Sequence, residues 1–400
     1  MVPIDVLRKT SRANLCTACA KCSTSCPLEG FAGFSPMRMV TAGPGPEELR
    51  EQAAAAQRCL TCSLCEVRCP QGVHISEFAR GLRDLNLDLD GDREPCPHGR
   101  VIQVAASPDW MGRVPPGELS WLDDDLEVAE HGEIALFVGC LPVFDALFGD
   151  RFGVRTTDIA RAAIRALNTL GIKPVVAADE RCCGHDLLWG GDKEGFTALA
   201  EANTAVFADR GVELVLTACG ECCRTWRLDY AEAVPSYQPR IQHFVEFLEE
   251  RLDAGELSFL ASDSPETVTY QDPCRLGRHL GVVDAPRRVL AAVPEVDLVE
   301  MDGSGMDARC CGTAGFIHCD AASRRLQRER LEAAESTEAA TLLTACPKCL
   351  IHFACAQEED ERSGTASEHI SVEDLTVYTS RMLAASIPAG DVKERMETAT

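Results

Sequence analysis

The sequence predicts an α/β protein in which a mostly α-helical N-terminal domain precedes two copies of a domain built from βαβ units on a parallel sheet. Two observations carry this prediction. One cysteine run occurs twice before Met111, and a longer cysteine pattern occurs twice from Gly132 onward, where short apolar runs alternate with helical segments. The expected boundaries are 1–105 for the first domain, 106–131 for a linker, 132–258 and 266–385 for the duplicated domains, and 386–400 for a polar tail.

The composition excludes several classes of protein. The 400 residues include 63 acidic and 39 basic side chains, for a formal net charge of -24 at pH 7. Such a charge repels nucleic-acid phosphates and anionic lipids. No apolar run approaches the roughly 18–20 residues of a membrane-spanning helix, and residues 1–14 lack a signal-peptide core. We therefore expect a cytoplasmic protein that does not bind nucleic acid and that associates with the inner face of a membrane only through a partner.

Cysteine is the most informative residue type, with 22 copies in a chain that shows no secretory signal. In a reducing cytoplasm such cysteines are more often metal ligands than disulfides. The run Cys-x2-Cys-x2-Cys-x3-Cys-Pro begins at Cys16 and again at Cys59. It is the bacterial ferredoxin run, in which three thiolates hold one cubane 4Fe-4S cluster and the fourth reaches the other cluster. Zinc is a remote alternative, because zinc sites usually close with two pairs of ligands.

The exchange of the fourth cysteine predicts the ligands of two cubane clusters. Cluster A is expected on Cys16, Cys19, Cys22 and Cys69, and cluster B on Cys59, Cys62, Cys65 and Cys26. Residues 46–58, between the two runs, are strong helix formers opened by a proline, and a second helix is expected from Ile75 to about Leu85. The Pro-, Gly- and Asp-rich stretch from Asp90 to about Asp125 is interpreted as linker and surface meander.

The second half of the chain repeats one pattern of five cysteines. In each copy a cysteine follows an apolar run, a Cys-Cys-Gly triplet comes next, and a Cys-x2-Cys pair follows another apolar run. Helices are expected over 157–170, 194–209, 286–292 and 321–335. Ligands of parallel sheets gather where strands end and helices begin, and helix N-termini favour an anionic sulfur cluster. The five cysteines of each copy should therefore converge on one site: Cys140, Cys182, Cys183, Cys219 and Cys222 in the first, and Cys274, Cys310, Cys311, Cys346 and Cys349 in the second.

Four cysteines remain outside these patterns: Cys96, Cys223, Cys319 and Cys355. We expect them to be buried free thiols that pack like small apolar residues. Cys223 directly follows Cys222 and could replace it as a ligand.

The duplicated Cys...Cys-Cys-Gly...Cys-x2-Cys pattern resembles the CCG domains of the heterodisulfide reductase family, and the first domain is similar to the small iron-sulfur subunit of that family. The matching residues include 272–279 and 344–349. Over roughly residues 12 to 355 the chain resembles the family's D-type subunit, in which these parts are fused. The resemblance implies a noncubane 4Fe-4S cluster on each set of five cysteines, which would act as catalytic ligands. It also implies that electrons pass from clusters A and B to the noncubane clusters and reduce a disulfide.

The family resemblance leaves an alternative open. Iron-sulfur subunits of glycolate, lactate and glycerol-3-phosphate dehydrogenases are built from the same parts, so the chain could instead link a flavin dehydrogenase to quinone or cytochrome without a substrate of its own. No Gly-x-Gly-x-x-Gly fingerprint opens a helix. Both functions therefore require a separate flavoprotein or hydrogenase-like donor subunit and, at a membrane, a cytochrome b-type subunit.

Basic side chains beside the cysteines are expected to line the entrance for an anionic thiol or disulfide. They are Arg181, His185, Arg275, Arg278, His279 and Lys348. The alternative is that they pair with cluster charge or with carboxylates. For His185 the alternatives are a proton relay or a hydrogen bond to a cluster sulfur. Residues 313–316 read Thr-Ala-Gly-Phe where relatives carry a run of glycines, which would narrow the approach to the second noncubane cluster.

Overall fold

The computed structural model describes residues 3–31, 33–43, 45–85, 97–107, 119–262, 264–313, 319–364 and 369–384. The predictions for the tail 386–400, for Cys96, for the middle of the linker and for residues 314–316 concern positions outside these ranges.

The N-terminal domain is helical, as predicted. Both expected helices are present, and the first begins with a proline and two glutamates that suit a helix N-terminus. Phe78, Ala79 and Leu82 form the buried face of the second helix and belong to one apolar cluster with Met39 and Val40. The helices are Ile4–Thr10, Lys21–Thr24, Pro36–Thr41, Pro46–Arg58, Leu64–Val67 and Ile75–Asp84, with a 3-10 turn at Ala13–Leu15.

Part of the expected meander is instead a helix, Pro97–Ala106, and a 3-10 turn follows at Leu119–Trp121. The prediction of a meander is wrong here because Pro97 stands at the first position of the helix, where proline is favoured. Ile102, which is 1% exposed, packs with Phe144, Phe148 and Ile351. The helix thus lies against the duplicated domains and forms part of their surface.

The duplicated domains contain the predicted parallel sheets, with strand orders β1-β2-β3 and β6-β5-β7-β8. In the second sheet β6 pairs with β5. The corresponding position in the first sheet is taken by Val175, which forms an isolated bridge with Ala135 of β1. β4 and β9 pair antiparallel and join the two domains. The strands are β1 Ile134–Phe137, β2 Leu214–Thr217, β3 Arg240–His243, β4 Ser258–Phe259, β5 Glu266–Gln271, β6 Val296–Leu298, β7 Thr341–Thr344, β8 Ser371–Asp374 and β9 Leu383–Ala384.

Helices cover both sheets, and those expected near 157–170, 194–209, 286–292 and 321–335 are confirmed. In the first domain the helical segments are Leu141–Phe144, Asp145–Gly149 (π), Asp150–Phe152, Thr157–Thr169, His185–Gly190, Lys193–Asp209, Gly220–Arg224, Thr225–Tyr230 (π), Ala231–Ala233 and Phe244–Asp253. In the second they are Cys274–Leu280, Asp284–Ala291, Gly305–Asp307 (3-10), Ala321–Glu335, Pro347–Ser363 and Leu375–Ser380.

The two duplicated domains share one apolar core. Leu216 and Phe247 from the first domain belong to the same buried cluster as Tyr270 and Leu290 from the second. Burial of apolar surface is the main stabilising contribution to such a contact. The two cysteine sites are therefore held at a fixed distance and orientation.

Candidate iron-sulfur centres

The two N-terminal cysteine runs fold into loops of the same conformation. Ala18 and Ala20 in the first loop, and Thr61 and Ser63 in the second, have positive φ angles of 54°, 62°, 48° and 59°. This left-handed backbone is uncommon for residues with a side chain. It turns amides toward sulfur, since Ala18 N–H lies 3.4 Å from the Sγ atom of Cys16 and Thr61 N–H lies 3.4 Å from that of Cys59. Such N–H groups suit an anionic sulfur cluster.

The structure brings the fourth cysteine of each run to the loop of the other. One small cavity is lined by the cysteines predicted for cluster A, which are Cys16, Cys19, Cys22 and Cys69. Cys26 lies close enough to Cys59 and Cys62 for their charges to raise its pKa further, beyond the rise caused by burial. The donor sets fit two clusters with exchanged ligands.

The first set of five cysteines, called site 1, lies where β1 and β2 end. It comprises Cys140, Cys182, Cys183, Cys219 and Cys222. The Sγ atoms of Cys140 and Cys182 are 2.7 Å apart, and those of Cys183 and Cys222 are 3.5 Å apart. Gly139 has φ +60°, and a Cβ atom there would stand 2.9 Å from the Phe137 ring and 3.5 Å from the Cys222 sulfur. The turn after β1 therefore requires glycine to bring the backbone this close to the sulfurs.

The second set, called site 2, lies where β5 and β7 end and comprises Cys274, Cys310, Cys311, Cys346 and Cys349. The Sγ atoms of Cys311 and Cys349 are 3.1 Å apart, and the amide of Gly312 donates to Cys310 Sγ at 3.3 Å. Cys310 also hydrogen-bonds with Cys274 and Cys311. Five thiols converge in each domain, which fits a metal-sulfur cluster better than unrelated buried cysteines.

Thiol contacts join cluster B, site 2 and site 1. A hydrogen bond from Cys310 of site 2 lowers the pKa of Cys62 to about 6. Hydrogen bonds from Cys222 and from Cys346 of site 2 lower the pKa of Cys219 to about 5. Site 2 therefore lies between the N-terminal domain and site 1, with a cysteine in contact on each side.

Three basic residues that we expected at an entrance are instead in the interface with the N-terminal domain. Arg275 donates to Thr61 O at 2.7 Å, to Thr61 Oγ1 at 2.8 Å and to His185 Nε2 at 3.0 Å. Arg278 donates to Cys62 O at 2.6 Å, and His279 Nε2 lies 2.9 Å from the hydroxyl of Ser63. The prediction is wrong for these residues because the buried carbonyls of the cluster B loop need hydrogen-bond donors.

Lys348 and His185 are also buried, and they belong to a cluster of charged groups between sites 1 and 2. The Lys348 ammonium lies 2.5 Å from Asp186 Oδ1 and 2.6 Å from Glu221 Oε2. Burial alone would lower the pKa of Lys348, but these two carboxylates outweigh it and raise the pKa. Asp186, His185 and Glu221 have the donor atoms of a metal site, and the ammonium already supplies the positive charge between the carboxylates.

His185 is placed by charged neighbours on both sides of its ring. Its Nδ1 atom lies 2.9 Å from Asp186 Oδ1 and 3.4 Å from Glu221 Oε2, while Nε2 accepts from Arg275. The two carboxylates were missed by the sequence analysis. The signal was available, since Glu221 and Lys348 occupy the same position within the two Cys-x2-Cys pairs.

A cavity of about 800 Å³ opens beside site 1, with Cys140 and Cys182 in its wall. Both cysteines are only partly buried. Arg181, one of the basic residues expected at an entrance, is in the same wall. Glu180 is a further wall residue that the sequence analysis missed. Its Oε1 atom accepts from Val138 N–H and Gly139 N–H at 2.8 and 2.7 Å, and burial raises its pKa to about 8.

The remaining described cysteines differ in their surroundings. Cys223 is completely buried and hydrogen-bonds with Thr217, whereas Cys222 faces Cys183. Cys355 is partly buried, but Cys319 is exposed, so the prediction of a buried thiol is wrong there. The reason is that Cys319 directly precedes Asp320, which caps the helix Ala321–Glu335 at the surface.

Family models match most of the chain. Residues 15–74 match a 4Fe-4S dicluster domain, and residues 134–226 and 268–354 match the cysteine-rich CCG domain. The chain is therefore an iron-sulfur protein in which a 4Fe-4S dicluster domain is joined to two CCG domains, and its cofactors are iron-sulfur clusters.

Comparison with individual proteins places the chain among relatives of the heterodisulfide reductase D-type subunit, which confirms the resemblance. It is 29% identical to the D-type subunit of the dihydromethanophenazine:CoB-CoM heterodisulfide reductase of Methanosarcina acetivorans, over 93% of this chain and 94% of that protein. It is 25% identical to the B-type subunit of a fumarate reductase (CoM/CoB) of Methanothermobacter marburgensis, over 88% of this chain and 69% of that protein. Relatives of this kind support an oxidoreductase role.

A solved structure of a hypothetical protein from Helicobacter pylori shares the fold, with a TM-score of 0.53 and 10% identity over 82% of this chain and 62% of that one. Within the part of the chain that the structure describes, every helix is too short or too polar to cross a membrane.

Proposed function

We propose that this chain reduces a disulfide at site 1 with electrons that enter at cluster A. The thiol contacts of Cys62 with Cys310 and of Cys346 with Cys219 carry this proposal. They support an order of cluster B, site 2 and site 1, and the exchanged fourth cysteines, Cys26 and Cys69, support cluster A as the neighbour of cluster B. The ligands we propose are the eighteen cysteines of these four sets, with cubane clusters in the N-terminal domain and noncubane clusters in the CCG domains.

The reaction we propose converts R-S-S-R′ into RSH and R′SH. It breaks one S–S bond and consumes two electrons, supplied one at a time through the clusters, and two protons from water. When bound, the clusters supply electron storage and transfer. Arg275 and Arg278 hold the cluster B loop against site 2, and the cavity leaves Cys140 and Cys182 of site 1 open to a substrate.

The electron donor in this proposal is a separate flavoprotein or hydrogenase-like subunit in the cytoplasm. Cys19 of cluster A is exposed, whereas three of the four cysteines of cluster B, Cys59, Cys62 and Cys65, are buried. Electron transfer requires close approach of the donor, which favours cluster A as the entry point. Any membrane attachment would come from a cytochrome b-type subunit.

The test is iron and acid-labile sulfide analysis of the anaerobically purified full chain, followed by an assay with a small disulfide and a reduced low-potential protein donor. We expect sixteen irons per chain, from four clusters of four, and release of two thiols per two electrons. Full iron content without thiol release would overturn the proposal. That result would leave the alternative of an electron carrier between a dehydrogenase and quinone or cytochrome.

A further inference from the structure

We infer that the cavity beside site 1 binds a disulfide with an uncharged, largely aliphatic arm and an amide or hydroxyl group near its sulfur. This inference rests on the proposed disulfide reduction and specifies the chemical class of the substrate. It follows from the wall of the cavity, from the pairing of its charged residues and from one hydrogen-bonding atom that has no partner within the described residues.

The wall of the cavity is mainly apolar. The helix Pro97–Ala106 contributes Val101 and Ala105, the 3-10 turn contributes Trp121, and the helical segments after β1 contribute Val143 and Leu147. A volume of about 800 Å³ lies within the usual range for small-molecule sites. Each methylene group that moves from water into such a wall strengthens binding by about fourfold. An aliphatic arm therefore gains affinity along the whole length of the cavity.

The charged side chains of the described wall do not favour a polyanion. Two are acidic, Asp145 and Asp150, and two are basic, Arg155 and Arg181, while burial raises the pKa of Glu180 to about 8 and leaves it mostly uncharged at pH 7. Arg155 pairs with Asp150 at 2.8 Å, and Arg181 donates to the Glu180 carbonyl at 3.0 Å. With a chain charge of -24, long-range electrostatics also repel anions. An uncharged arm avoids both penalties.

Glu180 places a hydrogen-bonding atom next to the redox site. Its Oε1 atom accepts from the amides of Val138 and Gly139, directly before Cys140. Its Oε2 atom is buried and has no hydrogen-bond partner within the described residues. A buried polar atom without a partner is destabilising, and a ligand that hydrogen-bonds to it recovers that free energy. Because Oε2 is covered in the structure, an amide or hydroxyl of the ligand would pair with it after a shift of the Glu180 side chain, with the ligand sulfur at Cys140 and Cys182 in the same wall.

Calorimetric titration of the anaerobic, cluster-loaded full chain tests this inference with three thiols. They are N-(2-sulfanylethyl)hexanamide, an alkanethiol of the same length, and 3-sulfanylpropane-1-sulfonate. We expect the amide to bind at least about tenfold more tightly than the alkanethiol and at least about 100-fold more tightly than the sulfonate. Equal affinity of amide and alkanethiol would overturn the role of Glu180, and preferred binding of the sulfonate would overturn the substrate class.

Ala146→Trp fills the cavity from an exposed position of its wall, so the fold should tolerate it. We expect this variant to weaken amide binding by at least about tenfold. The control is Ala205→Trp, an exposed alanine on the helix Lys193–Asp209 away from the cavity, which should bind normally. Equal binding by both variants would place the ligand elsewhere and overturn the inference.

The binding assay and the turnover assay separate the two proposals. Reduction of a small anionic disulfide without binding of the amide would overturn the inference and leave the proposed function. Binding of the amide without reduction of any disulfide would overturn the proposed function and leave the ligand class of the cavity.

Discussion

Site 1 and site 2 have the same cysteine pattern but differ in what covers one of the five cysteines. In site 1, Cys140 and Cys182 form part of the wall of a cavity. In site 2, Cys274 is partly buried like its counterpart Cys140, but Cys310, the counterpart of Cys182, is only 3% exposed and contacts Cys62 of the N-terminal domain. The N-terminal domain contacts both copies, since Arg80 pairs with Asp229 and Arg83 donates to Trp189 O in the first. Only at site 2, among the described residues, does its cluster B loop meet one of the five cysteines. Duplication supplied the same cysteine pattern twice, and the contact with the cluster B loop distinguishes the two sites.

The largest expected effect comes from removing one buried cysteine of each site. Cys311→Ala should lower disulfide turnover by at least about 100-fold, because electrons from cluster B then lack an intermediate site. Thiol binding at site 1 should persist in this variant. Cys183→Ala should abolish both turnover and thiol binding. The measurements are the anaerobic turnover assay with a reduced protein donor and calorimetric thiol titration. Normal turnover by the Cys311 variant would show that electrons bypass site 2.

The next effect concerns the ion pair between equivalent positions of the two sites. Lys348→Met leaves Asp186 and Glu221 as two buried carboxylates without their ammonium partner, and we expect a loss of about 3–5 kcal/mol in the free energy of unfolding. The double variant Glu221→Gln/Lys348→Gln removes charge from both copies and should recover at least half of that loss. Guanidinium unfolding followed by circular dichroism measures both. Additive losses in the double variant would contradict a direct pairing.

The alternation of short apolar runs with helical segments was sufficient to predict the parallel sheets and the main helices, and the cysteine pattern was sufficient to predict the convergence of the thiols. It could not predict the partners of Arg275, Arg278 and His279. Each is adjacent to or near a cysteine in sequence, but its partner lies more than 200 positions away, in the loop of cluster B. The position of these basic residues beside cysteines therefore led us to expect a substrate entrance, whereas in the fold they lie in the interface with the N-terminal domain.

The same limit applies to the cavity. Glu180 precedes Cys182 by two residues, yet only the tertiary fold places its carboxylate under the turn after β1. The helix Pro97–Ala106 was hidden for a different reason: its flanks are rich in residues that favour loops, and its apolar residues are confined to positions 101–106, a stretch too short to show a helical period. Packing against Phe144 and Ile351, which are distant in sequence, decides its place.

A smaller effect is expected where site 2 holds the cluster B loop. Arg275→Lys retains the charge but loses the geometry that reaches both Thr61 and His185, and we expect a loss of about 1.5–3 kcal/mol in the free energy of unfolding. The control is Arg362→Lys, which affects an exposed pair with Glu358 and should change stability by less than about 0.5 kcal/mol. Equal losses would show that Arg275 contributes charge alone.

Arg275→Lys has a second readout that separates positioning from stability. We expect cluster B to reduce site 2 more slowly in this variant, because the loop of Cys62 is less firmly held against Cys310. Stopped-flow absorbance on the folded protein measures this rate. An unchanged rate in a destabilised variant would assign Arg275 a structural role only.

The smallest expected effect is a pH dependence that differs between the two CCG domains. His243 and Asp374 are the last residues of the edge strands β3 and β8, and each caps the helix that follows. Burial lowers the pKa of His243 to about 4 and raises that of Asp374 to about 8, so both side chains are neutral in the folded protein at pH 7. Folding thus disfavours the His243 cation and the Asp374 anion, and the two groups must respond to pH in opposite directions.

For Asp374 the unfolded chain loses its proton near pH 4, whereas the folded chain keeps it up to about pH 8. Its contribution to stability therefore falls as pH rises through this window, by about 1.4 kcal/mol per pH unit where the folded form is protonated. Asp374→Asn keeps the acceptor for Thr376 N–H, which lies at 2.8 Å, and cannot ionise. Between pH 6 and 8 the variant should gain about 2 kcal/mol relative to the natural chain. Parallel curves from urea unfolding over that range would show that Asp374 is ionised in the folded protein.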